Sequence, residues 1–148
     1  MIFIAHRGNI SGKVPASENN PTYLDQAIDK GYDVECDIRF INNELFLGHD
    51  NPQYKISQSW IRKRINKLWL HCKDLTTFSY FKGTDYNYFF HETDDVVLTS
   101  KGYYWVYPGK QPVIESIAVM PEIHNDRVEQ CMGICSDNIK FYEEKINY

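Results

Sequence analysis

Short apolar runs alternate with helix-like segments from one end of the chain to the other, and this alternation limits the fold more than any other feature. The runs are Ile2 to Ala5, Val34 to Phe40, Glu44 to Leu47, Leu68 to Lys73, Tyr88 to His91, Val96 to Thr99, Tyr103 to Tyr107, Ile117 to Met120 and Gly133 to Ser136. Strands separated in this way point to parallel pairing through crossover helices. A complete eightfold barrel takes about 250 residues, and at least about 200, whereas this chain has 148. The expectation is one domain over residues 1–148, a compact, trimmed TIM-type (β/α) barrel with shortened or missing crossover helices.

Local signals place several elements. Asn20 can cap a helix with Pro21 at its first position, Tyr23, Leu24, Ala27 and Ile28 fall on one helical face, and Gly31 stands where a left-handed residue ends a helix. Asn42-Asn43 reads as a turn between two strands. Trp60, Ile61 and Ile65 suggest a short helix, Asp74 can cap a helix carrying Leu75, Phe78 and Phe81, and a further short helix is expected around Val128.

Composition narrows the class. A 43% hydrophobic and 24% charged chain with 15% aromatic residues is globular rather than disordered. Its net charge of -4 offers no broad basic field for nucleic acid or an anionic membrane. Phe3-Ile4-Ala5, close behind Met1, is too short for a secretory core, and no run approaches membrane-spanning length. Cys36 and Cys72 lie inside strand-like runs, which suits reduced core thiols, and Cys131 and Cys135 have no second pair to complete a zinc site. The expected location is cytoplasmic.

The chemistry concentrates in four places. Glu35-Cys36-Asp37 puts two carboxylates on one face of a strand and Cys36 on the other with Val34 and Ile38. Such a pair needs positive charge, supplied either by an oxygen-liganded divalent cation or by Arg or Lys. His71-Cys72-Lys73 repeats the same-face geometry with an imidazole and an ammonium. His6-Arg7-Gly8 and Gly48-His49-Asp50 each place a histidine just after a strand, where barrel enzymes carry catalytic groups. Together they supply what phosphodiester cleavage needs: a proton acceptor, a proton donor and positive charge for the nonbridging oxygens. His91-Glu92 also follows a strand and can face the pocket. His124-Asn125 reads as a helix start, and Trp105 with its tyrosine neighbours reads as core or as a stacking wall.

In this order the motifs resemble the glycerophosphodiester phosphodiesterase family of the phosphatidylinositol-phospholipase-C-like barrels. Ile4-Ala5-His6-Arg7-Gly8 resembles its first-strand motif, Ser17-Glu18-Asn19 its Pro-Glu-Asn-Thr segment, Glu35-Cys36-Asp37 its Glu-x-Asp, and Leu47-Gly48-His49-Asp50 its His-Asp hairpin ending. More loosely, His71-Cys72-Lys73 falls at its Glu-x-Lys, Tyr104-Trp105-Val106 at its Trp-Thr-Val strand, and Gly133 to Asp137 at its closing Gly-x-x-Thr-Asp. The resemblance implies a hydrolase of a small phosphodiester, with His6 and His49 as acid and base. It makes Glu35 and Asp37 metal ligands, joined by His71, and Arg7, Lys73, Glu18 and Asn19 substrate-binding residues. By resemblance the metal is Mg or Ca, while imidazole in place of the family's carboxylate at His71 favours Mn or Zn. The family's insertion after the His-Asp hairpin is absent, so glycerol specificity does not carry over. Two other readings are a binding module that holds a phosphorylated ligand without turnover, and a phospholipase-D-like lyase of lysolipids. The latter requires an apolar channel beside the metal.

Overall fold

The computed structural model describes residues 1–148. Its strands are β1 (Ile2–His6), β2 (Asp33–Ile41), β3 (Glu44–Leu47), β4 (Tyr54–Ile56), β5 (Leu68–Cys72), β6 (Asn87–Phe89), β7 (Val96–Leu98), β8 (Tyr104–Val106), β9 (Ser116–Val119) and β10 (Gly133–Ser136). Four short helices accompany them: α1 (Pro21–Asp29), α2 (Gln58–Lys63), α3 (Leu75–Phe81) and α4 (Ile139–Asn147). A single 3-10 turn covers Pro121–Ile123.

The helix ends follow from their capping residues. The Asn20 side chain accepts from the Thr22 N–H at 2.9 Å with Pro21 at the first position, and Gly31 leaves α1 at φ 98°. Ser57 and Asp74 cap α2 and α3 in the same way. Asn42 and Asn43 turn the β2–β3 hairpin with φ of 50° and 62°, which asparagine tolerates.

All ten strands belong to one sheet. β1 lies between β2 and β10, both parallel to it; β2 continues in parallel to β5 and β6, and β10 to β9 and β8. Two hairpins break the pattern: β7 pairs antiparallel with β8, and β3 and β4 extend antiparallel from the far half of β2. Because β2 has nine residues, it pairs with β1 at Asp33 to Glu35 and, beyond the end of β1, with β3 at Ile38 to Ile41.

The sheet is strongly curled. Trp69 on β5 and Phe89 on β6 meet Trp105 on β8, with ring centroids 5.7 and 4.6 Å apart, although no ladder joins these strands. Ile4, Trp69, Phe89, Trp105, Ile117 and Cys135 form the apolar filling of the concave side. On the convex side Val34, Cys36, Ile38, Leu68, Leu70 and Ile134 pack with Leu24 and Ala27 of α1, Ile61 of α2, Phe81 of α3 and Ile139 of α4. Ser100 ties the two sheet ends: its N–H donates to the Tyr88 carbonyl and its Oγ accepts from the Tyr88 N–H, at 2.9 and 3.0 Å.

This architecture corrects the expected TIM-type barrel. The sheet is mixed, a half-barrel, and strands do not alternate with helices throughout. The helices pack over β1, β2, β5, β6 and β10, whereas β7 to β9 are joined by loops alone. The reason is chain length between strands. The turn from Thr99 to Tyr103 is closed by Gly102 donating to the Thr99 carbonyl, which permits only an antiparallel return. No helix forms around Val128 either, and His124 ends the 3-10 turn instead of starting a helix. No helix is long and apolar enough to cross a membrane.

If the concave filling sustains the curl, Ile117→Ala, at a fully buried position, lowers the unfolding free energy by about 2–5 kcal/mol. Urea titration measures this, and a loss below about 1 kcal/mol would show that Ile117 is not held in a close-packed interior.

Candidate active site

Above the apolar filling, at the ends of β1, β2, β5, β6 and β10, the concave face turns polar. The two-residue period of β2 brings Glu35 and Asp37 inward, and the parallel register sets His6 opposite Glu35 and His71 opposite Asp37. Lys73, one residue past β5, reaches the same carboxylate.

Asp37 is fully buried and surrounded by donors. Asn19 bonds it reciprocally: the Asn19 amide donates to Oδ2 and its carbonyl accepts from the Asp37 N–H, both at 2.9 Å. Arg7 Nε lies 3.1 Å from Oδ2, and His71 Nδ1 and Lys73 Nζ lie 3.2 and 3.3 Å from Oδ1. None of these three is aligned for a hydrogen bond, so Arg7 Nε is a buried donor and Asp37 Oδ1 a buried acceptor without a partner. Burial alone would raise the Asp37 carboxyl, but the His71 contact and the charges of Arg7, His71 and Lys73 outweigh it and hold the group well below the usual range. Glu35, equally buried and facing the charge of Asp37, is pushed up despite His6, His71 and Arg7.

His6 is held from behind. Its Nδ1 lies 2.7 Å from Asp137 Oδ1, leaving Nε2 toward the cleft, 3.8 Å from Glu35 Oε2. An Nδ1 proton donated to Asp137 defines this tautomer. Burial opposes the imidazolium, yet the Asp137 bond and the Glu35 charge raise the pKa of His6 above 6.5. Burial likewise opposes the Asp137 carboxylate, while His6, the Asn9 amide and Lys13 lower its pKa below 3.8. The Asn9 amide bridges Asp137 and Glu18 at 2.7 and 3.1 Å, and Arg7 Nη1 donates to Glu18 at 3.1 Å.

His49 arrives by a different route. β3 runs back along β2, and the Gly48 N–H donates to the Asp37 carbonyl at 3.0 Å. Arg39 then fixes the turn, with Nε donating to the Gly48 carbonyl at 3.1 Å and Nη2 to the His49 carbonyl at 2.5 Å. A Cβ on Gly48 would fall 1.9 Å from the Asn51 carbonyl oxygen, so only glycine fits. The His49 ring is 42% exposed, and its Nδ1 lies 2.7 Å from Asp50.

His6, Arg7, Glu35, His49, His71 and Lys73 line one cleft of about 270 Å³, whose other wall is His91, Glu92, Trp105, Tyr107, Val119 and Met120. Asp37 lies beneath it. Glu18 and Asn19 stand behind Arg7 and open onto a neighbouring polar hollow with Lys13, His49 and Gln53. Trp105 serves as core filling and as cleft wall at once. Asn9 and Asp137 belong to the site without a role assigned from sequence. Asp137 had a signal, as the carboxylate ending the last strand; Asn9 had none.

A divalent cation fits these residues. Glu35, Asp37 and His71 offer ligand atoms within 4.8 Å of one another, and Asp37 Oδ1 is the buried orphan such an ion would satisfy. Four buried carboxylates, Glu18, Glu35, Asp37 and Asp137, face two permanent cations, Arg7 and Lys73. Protons on the imidazoles or a divalent ion offset the excess negative charge. Two carboxylates with one imidazole suit Mn or Zn better than Ca, which prefers an all-oxygen shell. Compared with known proteins, the chain matches no family model, and neither curated proteins nor solved structures include a significant match.

Two outcomes test this geometry. With chelator present, the stability lost in Asp137→Asn is greatest between pH 3.8 and 6.5, the ordinary values of the two groups. The raised His6 pKa contributes fully below 6.5 and is lost as pH rises through it; the lowered Asp137 pKa contributes above 3.8 and is lost as pH falls through it. A difference independent of pH from 3 to 9 would mean that the two groups do not pair. Separately, Gly48→Ala costs roughly 1–3 kcal/mol and moves the His49 ring resonances while leaving those of His6 in place, read by NMR.

Proposed function

We propose that the chain is a metal-dependent phosphodiesterase acting on a small, polar, glycerophosphodiester-like substrate through two-histidine acid–base exchange. The observation that carries this reading is that His6 and His49, forty-three positions apart, line one cleft together with Glu35, His71, Arg7 and Lys73. The order of motifs resembling the glycerophosphodiester phosphodiesterase family agrees with it.

In this mechanism Arg7 and Lys73 draw the phosphate into the cleft and offset its charge. Glu35, Asp37 and His71 would hold a divalent ion, which would supply Lewis acidity to the bound phosphate. His6, held by Asp137 with Nε2 facing the cleft, and His49 take opposite parts in proton transfer. One accepts the proton of the attacking water or substrate hydroxyl, and the other protonates the alkoxide released as the P–O bond breaks. His49, on an exposed turn, suits exchange with solvent between turnovers.

Cleft size favours a small diester over a lysolipid. The volume is about 270 Å³, and charged and imidazole side chains supply eight of its thirteen lining residues, the rest being Trp105, Tyr107, Pro108, Val119 and Met120. The phospholipase-D-like reading therefore has less support. Cytoplasmic location belongs to the same proposal.

Hydrolysis of bis-p-nitrophenyl phosphate and of glycerophosphocholine, after chelation and re-addition of Mg, Ca, Mn or Zn, tests the proposal. Expected is turnover restored by metal, greatest with Mn or Zn, and reduced by about 10²–10⁴-fold in His6→Ala and in His49→Ala. Absence of turnover with every metal, alongside tight binding of metal or inorganic phosphate, would replace the enzyme by a binding module.

A further inference from the structure

His91 has no part in the proton transfers above, yet it is built into the cleft with unusual constraint. Its ring lies flat against His71, with centroids 4.5 Å apart and planes 11° from parallel. Phe89, two residues earlier on the same strand, is parallel to both rings, 5.1 Å from His71 and 6.1 Å from His91. Tyr107 meets His91 edge-on at 4.8 Å and 89°. His91 and Phe89 thus lie side by side, parallel to one another, against the His71 ring, and Tyr107 abuts the far side of His91.

The ring of His71 has a broad torsional well of its own, and a ligating histidine is ordinarily steadied by a hydrogen bond from its second nitrogen to a carboxylate or carbonyl. His71 lacks that support. Its Nδ1 faces Asp37 and Glu35 at 3.2 and 3.7 Å without an aligned hydrogen bond, and no protein group bonds Nε2. Packing alone sets its orientation. The in-plane lone pairs of two parallel stacked rings run side by side and do not converge on one ion, so His91 is poorly placed to ligate beside His71. Its own Nδ1 is buried with no hydrogen-bond partner, so the ring's place in the cleft wall is set by stacking too.

We propose that His91, with Phe89, is a positioning residue that clamps the His71 ring so that Nδ1 stays directed at the Glu35 and Asp37 carboxylates, in the orientation for holding a metal ion. The proposal rests on the metal-dependent reading, and adds to it a residue acting through another side chain. A flat ring at position 91 is what the clamp requires; the ring nitrogens are not.

Calorimetric titration with Mn²⁺ and Zn²⁺, and the visible absorption of bound Co²⁺, read the effect without turnover. His91→Ala is expected to weaken metal binding by about 10–100-fold, the usual effect of removing support behind a ligand, and His71→Ala, which removes the ligand itself, by at least as much. His91→Phe, which keeps the stack, is expected to bind close to the unaltered protein and to retain its Co²⁺ spectrum. If His91→Ala does not fold, His91→Leu replaces it, filling space without a flat ring. Undiminished binding in the Ala or Leu variant overturns the proposal, as does a loss in His91→Phe equal to that in His91→Ala. If the unaltered protein binds none of these metals, the metal-dependent reading falls and the clamp falls with it; binding that is indifferent to position 91 removes the clamp alone.

Discussion

The buried charge of Asp37 is the interaction on which the site depends. A carboxylate fully withdrawn from water is tolerated only where donors and cations surround it, and removing one partner leaves the rest of the cluster uncompensated. The partners come from separate parts of the chain: Arg7 after β1, Asn19 before α1, and His71 and Lys73 from the end of β5. Meeting the electrostatic demand of one side chain therefore fixes the loop preceding α1 and the ends of β1 and β5 against the middle of β2. The division of labour between its oxygens has chemical consequences. Oδ2 accepts from the Asn19 amide and lies beside the Arg7 guanidinium as an ion pair, while Oδ1 faces His71 and Lys73 without a hydrogen bond and is left for a ligand.

The curled sheet separates stability from chemistry along its own axis. Ile4, Ile117, Cys135 and the aromatic group Trp69, Phe89 and Trp105 fill the lower part of the concave side with groups that need no partners. One step further along the same strands, His6, His71 and Asp137 replace them, and the face becomes polar. The filling keeps water and mobility out from below, so the ionisable groups stand on a close-packed floor. Antiparallel hairpins achieve this in few residues. β7–β8 closes one flank with a short turn, and β3 carries His49 back to the cleft, so neither requires a crossover helix.

The two histidines are held to different degrees. His6 is buried and tied to Asp137, whose other contacts run through Asn9 to Glu18 and back to Arg7. His49 is half exposed; its backbone is anchored by Arg39, and its Nδ1 meets the exposed Asp50. One site thus joins an imidazole of fixed tautomer to one in contact with solvent.

Local features were legible because their causes lie within a few residues. The Asn20-Pro21 start and Gly31 end of α1, the Asn42-Asn43 turn, and the shared faces of Glu35 with Asp37 and of His71 with Lys73 follow from caps, turn chemistry and the two-residue strand period. That strand period brings out Glu35, Asp37, His71 and Lys73 as candidates before any tertiary contact is known, and the positions just after strands bring out His6, Arg7 and His49. The failures lie elsewhere. Val96 to Thr99 and Tyr103 to Tyr107 read as two more members of a parallel series, although the residues between them suffice only for a hairpin. Asp137 meets His6 across 131 positions of chain, and His91 meets His71 through a neighbouring strand. By itself, then, the sequence determined which side chains share a face and which segments can be helix or strand, since backbone sterics and local hydrogen bonds decide both. Only the tertiary structure decided that the sheet is mixed and curled, and hence which faces meet. That choice turns on burying Trp69, Phe89 and Trp105 against one another, a contact between segments far apart in the chain that no local pattern specifies.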